Sequence, residues 1–262
     1  MNDGSILYSV DDQIAWVTIN MPEKMNRLNF QAMVALVEAV EKGGRDPAAK
    51  ALVVTGSGDK AFCAGADLAE FGQDSQGSIE VIRDGLEAYR EICLVFDRIA
   101  KPSIAMINGY AFAGGCGLAM LPTFGIASEK AQFSCPEVNA GVWPMMVMAI
   151  LFRTVGRKKG LELICTGKRI DAWEAEKIGM INRVVPHERL REEAVLFATE
   201  LKKKSRRTLS LGLQAYVASQ DMEYSKAIAY LREMATVIIN TSDAREGTRA
   251  FVEKRVPKWK EG

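Results

Sequence analysis

The sequence predicts an α/β protein, and three observations carry that reading. Apolar residues alternate through 14–19 (I-A-W-V-T-I) and run together through 51–55 (A-L-V-V-T), as strands do, while 29–41 between them has helical spacing with Asn29 placed to cap it. Strand-like pieces, 103–107 among them, keep alternating with helices to about Val185, as a largely buried sheet layered with helices requires. From residue 188 the strand signal disappears and only helical spacing remains.

Four helices are placed at 188–204, 206–219, 222–239 and 243–255, with Ser242 and Asp243 supplying the N-cap of the last. Two regions follow: a core over 1–187 and an all-helical C-terminal region over 188–262. Apolar faces on such a region pack back on the core or on a neighbouring subunit. No internal repeat or low-complexity run is visible, and 72–78 (G-Q-D-S-Q-G-S) is the one flexible-looking polar loop.

Composition narrows the classes of function. With 34 basic against 33 acidic side chains and 48% apolar residues in 262, the chain is globular and lacks the basic excess that a nucleic-acid partner requires. The one long uncharged stretch, 102–128, holds five Gly, two Pro and Asn108, so it reads as strand, turn and helix start instead of a membrane span. Residues 1–11 lack a basic region followed by an apolar run, and a cytoplasmic chain with no removed segment is expected. Five cysteines without a C-x-x-C spacing suit reduced thiols. His187 is the only histidine, so metal sites of the His/Cys kind and Ser-His-Asp constellations have one candidate at most, and no metal site is expected. Its V-V-P-H-E context ahead of a helix reads as a solvent-facing loop.

The strand at 51–55 runs into Gly56-Ser57-Gly58-Asp59-Lys60-Ala61, which mimics the start of a dinucleotide fingerprint but opens no helix and meets no second strand with an acidic end. More informative is 108–120 (N-G-Y-A-F-A-G-G-C-G-L-A-M), where a strand delivers small residues into a helical start. Without side chains in the way, the backbone N–H groups around Gly114 can point at an oxygen, aided by the positive end of the helix. Close helix packing also needs small residues, and the stretch alone leaves both readings open. A second such element, 64–68 (A-G-A-D-L), can present the N–H of Ala66 to the same point, and two donors make an oxyanion hole. Asp67 is read as a cap or turn carboxylate in preference to a catalyst.

These segments, together with 18–29 (T-I-N-M-P-E-K-M-N-R-L-N), 61–68, 101–110 (K-P-S-I-A-M-I-N-G-Y), 131–137 (A-Q-F-S-C-P-E) and 166–170 (T-G-K-R-I), resemble the crotonase superfamily, the enoyl-CoA hydratase/isomerase family, over nearly the whole chain. The resemblance implies a crotonase-like spiral of ββα units, an all-helical C-terminal region that builds trimers, often paired into hexamers, and an acyl-CoA substrate whose coenzyme A is no separate cofactor. It places the oxyanion donors on Ala66 and Gly114. Its CoA and substrate contacts map onto Met25, Arg27, Leu28, Ala64, Asp67 and Leu68, and more loosely onto Phe251 and Lys254 of the same or a neighbouring subunit.

Hydratases of this superfamily carry two glutamates, and here the first of the two positions is Gly117. The second is Glu137, which follows the mostly apolar F-S-C-P run and is expected to be partly desolvated with a raised pKa. Otherwise it is a first-turn carboxylate after Pro136. Adding water to a 2-enoyl thioester is easiest with two carboxylates, whereas one suffices to carry a proton from C2 to C4 of a 3-enoyl thioester, and the isomerases of the superfamily likewise keep only the second glutamate. Gly117 is expected to open space beside the acyl chain, and Trp143 with the three Met of 145–148 to form an adaptable apolar wall or simple core. Isomerisation is therefore expected, ahead of hydration of an unusual acyl group, thioester-assisted decarboxylation, or a non-catalytic acyl-CoA-binding subunit.

Overall fold

The computed structural model describes residues 4–67 and 79–260. Leu68 and the polar loop 72–78 lie outside them. Strands β1 (Ile6–Asp11) and β2 (Ile14–Ile19) form an antiparallel hairpin, and helix α1 (Phe30–Arg45) leads to β3 (Ala51–Gly56), which pairs parallel with β2. Asn29 caps α1 as expected, its Oδ1 accepting the N–H of Ala32 at 2.8 Å.

From β3 onward one unit recurs. β3, β4 (Ala61–Cys63) and α2 (Ile79–Arg98) are followed by β5 (Ser103–Ile107), β6 (Tyr110–Phe112) and α3 (Gly114–Met120), then by β7 (Phe124–Ser128), β8 (Gln132–Ser134) and α4 (Met145–Thr154). The first strand of each unit joins one parallel sheet and the second joins another, so β3, β5 and β7 lie side by side, as do β4, β6 and β8. The chain thus climbs as a spiral of ββα turns. Helix α5 (Arg157–Thr166) precedes β9 (Ile170–Asp171), which closes the four-stranded sheet antiparallel to β8; after α6 (Ala172–Lys177), β10 (Arg183–Val185) closes the six-stranded sheet against β7. The uncharged stretch 102–128 is consumed by β5, β6, α3 and β7, and no helix of the described residues is long and apolar enough to cross a membrane.

Strand parity explains why these strands are apolar throughout. Val17, Leu52, Val54, Ala105 and Ile107 face the main core under α1 and α2, while Ile14, Trp16, Val53, Ile104 and Met106 face the opposite side. That second face is covered by α7 (Leu190–Lys202) through Leu190, Ala194 and Ala198, spaced four apart on one helical stripe. α8 (Arg206–Ser219), α9 (Tyr224–Ile239) and α10 (Ser242–Val252) complete the helical region.

Two expectations are corrected here. The N-cap of α10 is Thr241, whose Oγ1 accepts from Ala244 N at 3.1 Å; Asp243 is buried and accepts from Ser205 Oγ at 2.6 Å and Lys260 N at 3.1 Å. A buried carboxylate needs such partners, and Ser205 in turn caps α8, so one hydrogen bond ties two helix starts together. His187 is not a free loop residue: its ring is largely covered and its Nδ1 lies 2.9 Å from Ser128 Oγ, which fastens the turn before α7 to the end of β7.

Candidate active site

Two turns meet at the ends of β4 and β6. Gly65 has φ +93°, and a Cβ there would lie 3.0 Å from Ala113 Cβ, 3.1 Å from Phe112 O and 3.3 Å from Gly114 N, so both the left-handed backbone and the close approach demand glycine. The turn is laced to the segment before α1: Ala64 N donates to Met25 O at 3.2 Å, Leu28 N to Gly65 O at 2.9 Å and Asp67 N to Leu28 O at 2.9 Å. Since Leu28 engages the residues on either side of Ala66, the N–H of Ala66 points to the opposite side. That N–H has no acceptor among the described residues.

Gly114 opens α3, where the first N–H groups of a helix have no intrahelical acceptor, and its N–H is likewise unpartnered among the described residues. The turn is held in an uncommon conformation: Ala113 has φ 51° and ψ −127°, a strain of about 1–3 kcal/mol for a residue with a Cβ. Its N–H donates to Ser134 O at 2.9 Å and its carbonyl accepts from Cys116 N at 2.9 Å and Gly117 N at 3.3 Å. Two buried asparagines brace the supports. Asn26 Nδ2 donates to Ala61 O at 2.7 Å and Ser57 O at 3.0 Å, and Asn108 Nδ2 reaches the same Ala61 O at 3.3 Å and Gly58 O at 2.6 Å. Ala66 and Gly114 are both half-buried, and their N–H groups, on turns that touch at Gly65, are both left without an acceptor among the described residues.

Glu137 stands on a single 3₁₀ turn (Pro136–Ala140) whose approach is buried at Phe133, Ser134 and Cys135. Its Oε2 is shielded from solvent and has no hydrogen-bond partner among the described residues. Burial raises its pKa above 4.5, partly offset by its own backbone N–H. A surface carboxylate helping a helix start would not be buried in this way.

Beside it the structure corrects the expected opening at Gly117. A Cβ there would lie 2.3 Å from Tyr89 Oη, 3.3 Å from Val147 Cγ2 and 3.4 Å from Ile150 Cδ1, so the seat is filled by the Tyr89 hydroxyl. That hydroxyl donates to Gly114 O at 2.8 Å. Burial first, then the thiols of Cys93, Cys63 and Cys116 and the carboxylate of Glu137, hold the Tyr89 pKa well above 10, so it stays a neutral donor. Sequence reasoning did not single out Tyr89, although the apolar spacing of Ala88, Tyr89, Ile92, Val95 and Phe96 marks a helix face buried in the core. Trp143 donates from Nε1 to Met148 Sδ at 3.3 Å; Met146 and Met148 pack against the core, while Met145 is 65% exposed.

Met25 and Asn26 both take left-handed φ, which bends the segment before α1 around the turn at Gly65. Asp67 is 3% exposed, with Arg27 Nη1 at 3.6 Å and Lys24 Nζ at 3.8 Å, both cations reaching into solvent. These contacts to Asp67 are ion pairs longer than a hydrogen bond, and Arg27 Nε also donates to Lys24 O at 3.2 Å, so two cations stand together at the rim. Leu68 lies outside the described residues. Phe251 is 85% exposed on α10, which packs on α8 and α9, and Lys254 follows that helix. A cavity of about 840 Å³ lies between α2, α3, α4 and α8, lined by apolar residues such as Phe96 and Met146 and by the charged Arg90, Asp97, Arg153 and Asp221, and it shares Ile150 with the wall at Gly117.

Residues 9–262 match the family model described as enoyl-CoA hydratase/isomerase. A probable mitochondrial enoyl-CoA hydratase of Dictyostelium discoideum is 36% identical over 94% of this chain and 87% of that protein. A crotonyl-CoA hydratase of Syntrophomonas wolfei is 34% identical over 96% of each. Among solved structures, the crystal structure of enoyl-CoA hydratase from Mycobacterium smegmatis superposes with a TM-score of 0.93 at 30% identity, covering 97% of this chain and 98% of that one.

Proposed function

The chain belongs to the enoyl-CoA hydratase/isomerase family, and from that premise we propose that it converts a 3-enoyl-CoA into the conjugated 2-enoyl-CoA. Glu137 takes a proton from C2 of the thioester, and the electron pair runs onto the thioester oxygen as a dienolate held by the N–H groups of Ala66 and Gly114. Collapse of the dienolate returns the proton at C4. Atoms balance without a co-reactant, because the carboxylate that begins the cycle also ends it.

One observation carries this reading: residue 117 is Gly with the Tyr89 hydroxyl in its seat, so the second carboxylate of a hydratase has no place there. The raised pKa of Glu137 supports its role, since a carboxylate nearer neutrality is the stronger base. The apolar neighbours of Gly117, Val147 and Ile150, support an apolar acyl tail. The rim cations Lys24 and Arg27 support binding of the CoA phosphates.

The names of the relatives favour a second reading, hydration of a 2-enoyl-CoA, with water held by Glu137 and a substrate group or loop carboxylate. The test supplies 3-hexenoyl-CoA to the purified protein and follows absorbance of the conjugated thioester. The wild type is expected to form it, and Glu137→Gln to bind CoA esters without forming it. No conjugated product from the wild type, or full turnover by the variant, overturns the reading.

The assembly proposed is a homotrimer or a dimer of such trimers, in the cytoplasm. α9 buries none of its own residues within one chain and exposes Tyr224, Ile228 and Ile239, which supports their burial against another copy. Phe251 and Lys254 then reach a site across that contact. Sedimentation of wild type against Ile228→Glu checks this: a trimer or hexamer that dissociates in the variant is expected, and a monomeric wild type contradicts it.

A further inference from the structure

The geometry points to Tyr89 as the positioning residue of the oxyanion turn: its hydroxyl, lodged in the seat of a side chain at residue 117, bolts α2 to the carbonyl of Gly114 and so fixes where the Gly114 N–H points. The inference rests on the reading that this N–H binds the thioester oxygen, and it adds to that turn a residue from α2.

Three observations converge on it. Tyr89 Oη donates to Gly114 O at 2.8 Å, and Gly114 is the residue that follows the strained Ala113. The ring packs on the same glycine, since a Cβ on Gly114 would lie 2.9 Å from Tyr89 Cε2. The hydroxyl is also the nearest neighbour of Gly117, 2.3 Å from a Cβ built there. A turn held in a sparsely populated conformation needs its surroundings to over-determine it. Here the hydrogen bonds of Ala113 fix the entry to the turn, and the phenol fixes its exit into the helix. Occupying the seat at 117 has a second effect: the position from which another carboxylate would hold water is closed by a neutral donor turned toward backbone. One hydroxyl thus both aims the oxyanion donor and leaves Glu137 as the proton carrier.

The test uses bound hexa-2,4-dienoyl-CoA, a conjugated thioester whose absorbance moves to longer wavelength when its carbonyl is polarised. This readout reports donor alignment whichever reaction the enzyme runs. Wild type is expected to shift the band. Tyr89→Phe, which keeps the ring, is expected to bind the probe with similar affinity, to lose most of the shift and to lose about tenfold or more in kcat with little change in KM. An undiminished shift and kcat in Tyr89→Phe overturn the inference. Absence of a shift in the wild type overturns the oxyanion reading itself, and the inference with it.

A double-variant cycle checks the seat independently of folding. Gly117→Ala places its Cβ against the hydroxyl in wild type, whereas with Phe at 89 the nearest neighbour is Val147 Cγ2 at 3.3 Å. Gly117→Ala is expected to be harmful alone and nearly silent in the Tyr89→Phe background. Losses that multiply in the double variant contradict the shared seat.

Discussion

The wall that carries Ala66 and Gly114 is built of backbone, and the wall that carries Glu137, Gly117 and Tyr89 is built of side chains. The backbone wall is over-determined: β4 and β6 are held by paired strands, by Asn26 and Asn108, and by glycines that tolerate no Cβ at 65 or 115, the latter because Cys63 O would lie 1.9 Å away. The side-chain wall has fewer ties. Glu137 Oε2 has no hydrogen-bond partner among the described residues, and the seat at 117 is filled by one hydroxyl from a distant helix. In the proposed mechanism the first wall polarises the thioester carbonyl, whereas the second decides which proton moves and where water can sit.

The largest predicted effect breaks the second wall alone. Glu137→Gln keeps shape and removes the base, so kcat falls on the order of 10²- to 10⁴-fold while the dissociation constant for an acyl-CoA stays within a few-fold. Rapid-mixing kinetics with equilibrium binding separates the two quantities. Next in size is damage to the first wall. Gly65→Ala puts a Cβ into the Ala113 turn at φ +93°, and is expected to cost roughly 1–3 kcal/mol of stability and about tenfold to a hundredfold in kcat. Thermal melts and steady-state rates check both, and a stable, fully active variant would show the turns to be less tightly joined than the distances indicate.

The pH dependence sharpens the contrast. Glu137 accepts a proton only when ionised, so kcat/KM falls about tenfold per pH unit as pH drops through its folded pKa, and burial sets that limb above 4.5. The backbone donors contribute no limb of their own. The smallest effect concerns stability. A carboxyl whose folded pKa is raised binds more protons folded than unfolded between 4.5 and the folded value, so folding stability declines as pH rises through that window. Above it the ionised carboxylate is a burden that Gln lacks, and Glu137→Gln is expected to melt higher than the wild type at pH 8, with the gain vanishing near pH 4. Melting curves at the two pH values test the sign.

The two walls also differed in how legible they were. Strand parity in 14–19 and 51–55, the small residues of 108–120 and the C-terminal helical spacing write themselves locally, so the α/β class, both Gly/Ala turns and four helices can be read residue by residue, whereas the spiral comes only from the family resemblance. Glu137 is equally local, its burial following from the apolar residues before it. The content of the seat at 117 is not: Tyr89 is 25 residues from the Gly114 carbonyl it binds, and that contact exists only once α2 lies across α3. An absent side chain at Gly117 reads as empty space in sequence, while packing fills it. The cap of α10 fails for a related reason, because Asp243 looks like a cap until Ser205 arrives from α8 to claim it.

The central claim is that one carboxylate beside a paired N–H site favours moving a double bond over adding water. It is tested most directly by initial rates of the wild type on 3-hexenoyl-CoA and crotonyl-CoA under identical conditions. The account predicts that formation of the conjugated thioester from the first exceeds hydration of the second by at least about a hundredfold, the advantage of one positioned acid or base. Hydration as fast as isomerisation would contradict it.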